Sequence, residues 1–340
     1  PRRLTRPKAS RIFPAGRAEV TNMAHYQTYK LFGGSANPAL AKAIAAYLEM
    51  PLVDCTIKKF TDGEVFVQGH ENVRGADVFV LQPSCPPVND NLMELLITID
   101  GLKRASAERI TAVVPYYGYA RQEKKDAPRE PITARLVADL IEVAGAHRVI
   151  TMDLHAGAIQ GFFNIPIDHL TSLGMFCDYL RQTDLTDCVV VAPDTGRAKA
   201  AEKMASLLEL PMAVIHKHRP RQQEVEVTHI AGDLKGKRPL VFEDIVSTGK
   251  TLGYGVDAML AAGAAPDIRI AVTHALFTSG AIELLDRPEI SQIIITDTVP
   301  LPADKQIDRI TTLSVAPLLG EAIRRVHEGE SLSELFSLKH

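Results

Sequence analysis

The sequence predicts an α/β protein built from two similar domains, each a mostly parallel sheet flanked by helices. Three observations carry that expectation. Short apolar runs of strand length alternate with segments of helical periodicity from Tyr29 onward. The alternation restarts after a junction near Pro166–Leu173. The chain has 340 residues, 46% of them hydrophobic, enough for about two domains with sizeable cores.

The elements follow in order. Tyr29–Gly33 reads as a strand. Asn37 and Pro38 then supply an N-cap and a first helical residue, and Leu40, Ile44, Tyr47 and Leu48 form one apolar face. Leu52–Lys59 and Asp77–Gln82 are strands. Asn91–Lys103 is a helix with Leu92, Leu95, Leu96, Ile99 and Leu102 inward. Ile110–Tyr116 is a strand, Pro131 opens a helix closed by Gly145, and Val149–Leu154 is again a strand. In the second half, strands are expected at Cys188–Ala192, Met212–His216, Pro239–Phe242, Ile268–Thr273 and Gln292–Thr296, with helices between them.

Residues 1–27 differ from the rest. Arg2, Arg3, Arg6, Lys8, Arg11 and Arg17 face a single acid, Glu19, with little apolar pattern. A transit peptide, a basic tail and a start-site or cloning artefact ahead of Met23 all fit. The favoured expectation is a dispensable, disordered basic extension.

Composition excludes several classes. No apolar run approaches the ~18 residues of a membrane span. The net charge of −3 and a pI near 6.5 argue against a nucleic-acid protein. Cys55, Cys85, Cys177 and Cys188 show no C-x-x-C spacing and read as small buried hydrophobes in a reducing, cytoplasmic setting.

In parallel sheets, ligands bind beyond the carboxyl ends of strands. The loops after Val114, Leu154, Ala192, His216 and Phe242 are all polar or charged. The last begins VFEDIVSTGKT, residues 241–251. Its tail mimics a P-loop, but Asp244 stands where the first P-loop glycine belongs. What remains is an acidic pair, Glu243-Asp244, and a small polar turn, Ser247-Thr248-Gly249-Lys250-Thr251, that opens a helix. Val256, Met259 and Leu260 share a face of that helix, and Gly263 stops it. Free N–H groups and hydroxyls at such a turn make an anion seat, and the carboxylates suit hydroxyl groups or a metal ion. The pairing outlines a ribose 5-phosphate; the plainer alternative is a polar turn with a capping Thr.

The other loops add charge. Tyr116, Tyr117 and Tyr119, followed by Arg121, Gln122, Lys124 and Lys125, suit a stacking base and a polyphosphate, or else form a solvated charged loop. His155 ends a strand and can meet a metal-bound nucleotide, act as acid or base, or be structural. Asp194, in Pro193-Asp194-Thr195-Gly196-Arg197, either completes a magnesium site or caps the next helix. Lys217, His218, Arg219 and Arg221 are surface charges, or cations that fold over a transferring phosphoryl group.

Taken together, FTDGE (60–64), NDNLMELL (89–96), YARQEKKD (119–126), ITMDLHAGAIQGFF (150–163), APDTG (192–196), IHKHR (215–219) and the 241–251 loop closely resemble the ribose-phosphate diphosphokinases, or phosphoribosyl pyrophosphate synthetases. The resemblance runs from Tyr29 to Phe336. It implies two phosphoribosyltransferase-type domains, 28–168 with ATP and regulatory contacts and 169–340 with the ribose 5-phosphate loop. It implies transfer of the β,γ-diphosphoryl group of ATP to the C1 hydroxyl of ribose 5-phosphate. Phosphoribosyl pyrophosphate and AMP are then the products, feeding purine, pyrimidine, NAD, histidine and tryptophan synthesis. By the same resemblance Phe60, Asp62 and Glu64 contact adenine from a neighbouring subunit, and Arg121, Gln122 and His155 hold ATP. Lys217, Arg219 and His155 are catalytic. Magnesium is the cofactor, engaged by His155, Asp194, Glu243 and Asp244. Glu243, Asp244 and Ser247 through Thr251 hold ribose 5-phosphate.

Regulation by phosphate as activator and ADP as inhibitor is implied through Arg74, Arg129, Gln160, Ser331, Ser333 and Phe336, in a homohexamer built from dimers. Gly157 and His169 depart from that regulatory pattern. So do Glu243, Ser247 and Lys250 from the family's usual loop, where EDIVSTGKT is closer to purine phosphoribosyltransferases. A phosphoribosyltransferase and a non-catalytic regulatory homologue are the competing readings. The first-half ATP motifs count against the former, and the presence of His155, Asp194, Lys217, Arg219 and Asp244 against the latter.

Overall fold

The computed structural model describes residues 28–221, 224–278 and 280–336; the side chains of 217–228 and of Phe336 lie outside that description. The basic extension expected over 1–27 also lies outside it.

The first half runs β1 (Tyr29–Gly33), α1 (Pro38–Tyr47), β2 (Cys55–Lys59), β3 (Val65–Gly69), β4 (Asp77–Leu81), α2 (Val88–Arg104), β5 (Arg109–Val114), α3 (Thr133–Ala144), β6 (Arg148–Met152) and β7 (Ile167–Leu170). Five of these strands form a parallel sheet in the order β1-β4-β5-β6-β7. β2 and β3 pair separately as an antiparallel hairpin. α1 starts as its sequence dictates: Asn37 accepts from the Leu40 N–H at 3.1 Å, and Pro38 follows it. β4 is buried along its whole length, as a strand covered on both faces must be.

The second half runs α4 (Leu173–Arg181), β8 (Cys188–Ala192), α5 (Ala198–Leu208), β9 (Met212–Arg221), β10 (Glu224–Ala231), β11 (Arg238–Val246), α6 (Lys250–Ala261), β12 (Ile268–Ala275), α7 (Ala281–Leu285), β13 (Ile290–Thr296), β14 (Ile310–Leu313), α8 (Ala316–Glu328) and α9 (Ser333–Phe336). Its sheet has the order β10-β9-β8-β11-β12-β13-β14, parallel except where β10 returns against β9.

Each sheet has two cores. On one face of the first sheet, Val78, Ile110 and Val149 pack with Leu95 and Ile99 of α2 and Val137 and Ile141 of α3. On its other face, Leu31, Phe79, Leu81, Val113 and Ile150 meet Leu40 and Ile44 of α1 and Leu319 and Ile323 of α8. In the second sheet α6 and α7 cover one face, and α4 and α5 the other.

α8 therefore belongs by packing to the first sheet, although it comes from the far end of the chain. It comes so close to α1 that a Cβ on Gly320 would strike the ring of Tyr47. Arg109 ties the helix down by donating to Val326 O at 2.9 Å. β7 pairs with β6, so the first sheet closes at Leu170, inside the span expected for the second domain.

The sheets meet carboxyl end to carboxyl end. Asp153, just past β6, accepts from the Thr273 hydroxyl at 2.9 Å and from the Ser172 N–H at 2.9 Å. His274 Nε2 lies 3.1 Å from Met152 O, where the ring N–H donates. Burial holds the His274 imidazole below its usual pKa, so the neutral ring is the favoured form. Cys85, Tyr116, Leu276 and Val299 complete an apolar seal beside these bonds.

Two strands run longer than their apolar runs suggest. β11 continues through Glu243 and Asp244 to Val246, held by the parallel ladder to β12 as far as Ala275. β9 continues from His216 to Arg221 because β10 pairs with it, with Lys217 opposite Val227. The acidic pair and IHKHR thus lie on strands rather than in free loops. Cys85, Cys177 and Cys188 are buried free thiols, and Cys55 is half-buried. Among the described residues no helix is long and apolar enough to cross a membrane.

Candidate active site

The junction of the two sheets holds a cavity of about 610 Å³. The polar turn 247–252, the acidic pair of β11, the 194–197 turn, His155 and the Arg121–Asp126 loop all contribute to its walls.

At one end lies the start of α6. Gly249 is its N-cap, with φ of +72°, and is buried. A Cβ there would lie 3.3 Å from Ala281 O and 3.4 Å from Leu285 Cγ. Glycine is needed on both counts, conformation and space. Ser247, Thr248, Gly249 and Thr251 line the cavity at the N-terminus of α6, where free N–H groups and hydroxyls suit an oxyanion. Lys250 is exposed and is not part of the cavity wall.

At the other end lies an acidic corner. The Asp244 side chain is 5% exposed and Glu243 is 9% exposed. His155 Nδ1 lies 2.8 Å from Asp244 Oδ2. Arg197 also donates through Nη2 to Asp244 Oδ2, and at 3.1 Å to the His155 carbonyl. Its Nε lies 3.8 Å from Glu243 Oε2. Burial alone would push the Asp244 carboxyl up. The His155 hydrogen bond and the charge of Arg197 outweigh it and hold the group below the ordinary carboxylate range. Asp244 is therefore ionised at neutral pH.

Asp194 lines the same cavity and caps the short turn before α5, accepting from the Arg197 N–H at 3.2 Å. Among the described residues, no three His, Cys, Asp or Glu side chains form a closed metal cage.

A second cavity, about 510 Å³, lies beside the first and is lined by Pro87, Asn89, Tyr116, Tyr119, Arg121 and Gln122 among others. Arg121 belongs to the walls of both. The tyrosine cluster divides. Tyr117 is core, packed edge-on to Phe163 with its hydroxyl on Ala134 O at 2.9 Å. Tyr116 is 4% exposed and packs on His274. Tyr119, less buried, bonds through its hydroxyl to Asn89. Gln122 accepts from Thr133 Oγ1 at 2.6 Å.

Among the described side chains, the remaining expected residues stand apart from both cavities. Phe60, Asp62 and Glu64 occupy the tip of the β2–β3 hairpin and line neither cavity. Phe60 is 45% exposed, with Lys58 Nζ 5.4 Å from its ring centroid. Lys217 and Arg219 lie on β9, their side chains outside the described ones. Arg74 donates to Ser106 Oγ at 3.1 Å, and Arg129 has a positive φ of 71°. Gln160 donates to Gly157 O at 3.0 Å, and Ser331 and Ser333 bond to each other at 3.0 Å. Arg74, Arg129, Gln160, Ser331 and Ser333 line neither cavity, and the Phe336 side chain lies outside the description.

Arg197 is the site residue that the sequence alone did not single out. A signal existed. A cation at a helix N-terminus opposes the helix dipole, so an arginine there calls for a carboxylate partner nearby.

The comparisons with known proteins agree over most of the chain. Residues 29–145 match the family model described as the N-terminal domain of ribose phosphate pyrophosphokinase. Residues 221–337 match that of the phosphoribosyl synthetase-associated domain. The ribose-phosphate pyrophosphokinase of Caldanaerobacter subterraneus subsp. tengcongensis is 51% identical over 317 residues, covering 93% of this chain and 100% of the relative. That of Corynebacterium ammoniagenes is 47% identical, covering 91% and 97%. The crystal structure of phosphoribosylpyrophosphate synthetase from Mycobacterium smegmatis superposes with a TM-score of 0.84 at 43% identity, covering 89% of this chain and all of that one.

Proposed function

This chain belongs to the ribose-phosphate pyrophosphokinase family, and from that membership we propose how its own residues share the work of the reaction. It moves the β,γ-diphosphoryl group of ATP to the C1 hydroxyl of ribose 5-phosphate, giving phosphoribosyl pyrophosphate and AMP. The observation that carries the assignment is the single cavity joining an anion seat, an acidic corner and Arg121.

Ribose 5-phosphate lies along the 610 Å³ cavity. Its phosphate sits on the turn Ser247–Thr251, where N–H groups and hydroxyls converge. Its ring hydroxyls face Asp244 and Glu243, which accept from them. ATP enters from the neighbouring cavity with its base near Tyr119 and Gln122. Arg121, shared by both walls, takes the phosphate chain as a fork of donors. The C1 hydroxyl oxygen attacks the β-phosphorus in line and gives up its proton to solvent, the bond from that phosphorus to the α-phosphate oxygen breaks, and AMP leaves. Positioning and charge neutralisation supply most of the catalysis. Lys217 and Arg219 bring positive charge to the transferring group from β9.

The residues fit a magnesium ion. Such an ion takes one or two carboxylates and otherwise water and phosphate oxygens, so it needs no closed protein cage. Asp244, Glu243, Asp194 and His155 stand on the cavity that also holds the phosphate seat. When bound, magnesium neutralises phosphate charge. The exposed Phe60 hairpin suits an adenine contact made on a neighbouring subunit, so assembly is part of the site. Phosphate activation and ADP inhibition through Arg74, Arg129, Gln160, Ser331, Ser333 and Phe336 complete the proposal.

Arg121→Ala tests the layout. One charge-assisted contact is worth about 1.5–3 kcal/mol, so KM for ATP rises roughly tenfold to a hundredfold. KM for ribose 5-phosphate stays within about threefold. A shift confined to the sugar phosphate would mean that the two substrates lie the other way round.

A further inference from the structure

Arg197 occupies the corner of the cavity where the proposed reaction needs open carboxylates. Its side chain is 16% exposed and lies against Asp244, Glu243 and the His155 loop at once. The hydrogen-bond pattern has one consistent reading. If His155 Nδ1 accepted from Arg197, 3.1 Å away, its lone pair would also face Asp244 Oδ2 at 2.8 Å. Two acceptors at that distance repel. A proton on His155 Nδ1 removes the conflict: Nδ1–H donates to Asp244, and Arg197 Nη2 spends its two protons on Asp244 and the His155 carbonyl. Both donors thus converge on one oxygen of Asp244.

This arrangement is closed rather than receptive. The guanidinium neutralises the carboxylates that would otherwise meet a divalent cation and the ribose hydroxyls. Its backbone N–H also binds Asp194, so one short turn presents a carboxylate to the cavity and a cation to the acidic pair. Arg197 is also poorly placed for its own helix, since it precedes α5 directly and its charge opposes the dipole. Its compensation is the acidic corner.

We propose that Arg197 is a built-in, displaceable counter-ion, and that it competes with the divalent cation for Asp244 and Glu243. When substrates and cation load the site, the guanidinium leaves the carboxylates and becomes available to the anionic phosphate groups. Order of binding follows: the bare protein holds a divalent cation weakly, and the cation binds well only with ligands that give Arg197 another anion. The inference rests on the proposed role of Asp244 and deepens it. In the bare protein Arg197 acts through the carboxylates.

The test is Mn²⁺ binding to the intact protein without nucleotide or sugar, read by the loss of the free-ion electron paramagnetic resonance signal. Arg197→Gln removes the charge and keeps polar length. It is expected to tighten Mn²⁺ binding roughly tenfold to a hundredfold, the worth of one charge-assisted pair. Arg197→Lys keeps the charge and is expected to stay within about threefold of the unsubstituted protein. Arg197→Ala gives the same tightening as Arg197→Gln, and serves if the glutamine variant does not fold. Asp244→Asn, combined with Arg197→Gln, should abolish the gain. Unchanged or weaker Mn²⁺ binding in both charge-removing variants would overturn the competition. If the charge-removing variants bind tighter but Asp244→Asn keeps the gain, the cation sits elsewhere, and the role given to Asp244 fails instead.

Discussion

Gly249→Ala reports most directly on the proposed phosphate seat. The alanine would have to hold a φ of +72°, which costs an L-residue about 1–2 kcal/mol. Its Cβ would also lie 3.3 Å from Ala281 O and 3.4 Å from Leu285 Cγ, so α7 must give by a few tenths of an ångström. Together these come to about 2 kcal/mol, or roughly 30-fold in an equilibrium constant. The least costly relief is a displaced turn at the start of α6. Ribose 5-phosphate must then restore the turn on binding. KM for ribose 5-phosphate, measured through AMP formation at saturating ATP, is expected to rise roughly 10- to 30-fold. KM for ATP should move less than about twofold. An unchanged KM for ribose 5-phosphate together with an unchanged melting temperature would refute the reasoning, because the strain would then appear nowhere.

Lys217→Ala should lower kcat by roughly a hundredfold or more while ATP affinity changes little, if its charge serves the transferring group as proposed; equal damage to both would place it in ground-state binding. Leu319→Ala, at a fully buried position between α8 and the first sheet, should cost about 2–5 kcal/mol in urea unfolding followed by circular dichroism. A loss under about 1 kcal/mol would show that α8 is not integral to that core. Glu321 is held down to about 2 chiefly by its hydrogen bond to Arg324, with Arg325 adding to it. Its folded pKa lies below the usual value of 4.5, so its contribution is full above that pH and is lost as pH falls toward 2. Glu321→Gln should therefore be less stable at pH 7, with the difference vanishing toward pH 2; a difference independent of pH contradicts that link.

Local signals were legible wherever a single segment decides its own structure. The Asn37-Pro38 cap, the Gly145 and Gly263 stops and the uninterrupted apolar strands all appear where the residues put them. Partners elsewhere in the chain decided the rest. β9 runs on through charged residues because β10 pairs with it, and β11 carries two acids because β12 continues beside them. β3 and β7, short and half-buried, lacked a long apolar run. Tyr117 looked like a stacking ring in its loop, yet α3 and Phe163 enclose it. The loop alone gives Arg197 no role, and only the meeting of the two sheets brings it to His155 and Asp244. The loop positions of the site could be read from strand ends, but its contacts across the junction could not.

The central claim is transfer of a diphosphoryl group onto the sugar, and product identity tests it. The intact protein is incubated with ATP and Mg²⁺ in phosphate buffer, with and without ribose 5-phosphate, and all nucleotides and phosphorylated sugars are quantified by phosphorus NMR. AMP and phosphoribosyl pyrophosphate should form in equal amounts, and only when ribose 5-phosphate is present. ADP as the nucleotide product, AMP without the sugar pyrophosphate, or no AMP from the folded protein would contradict it.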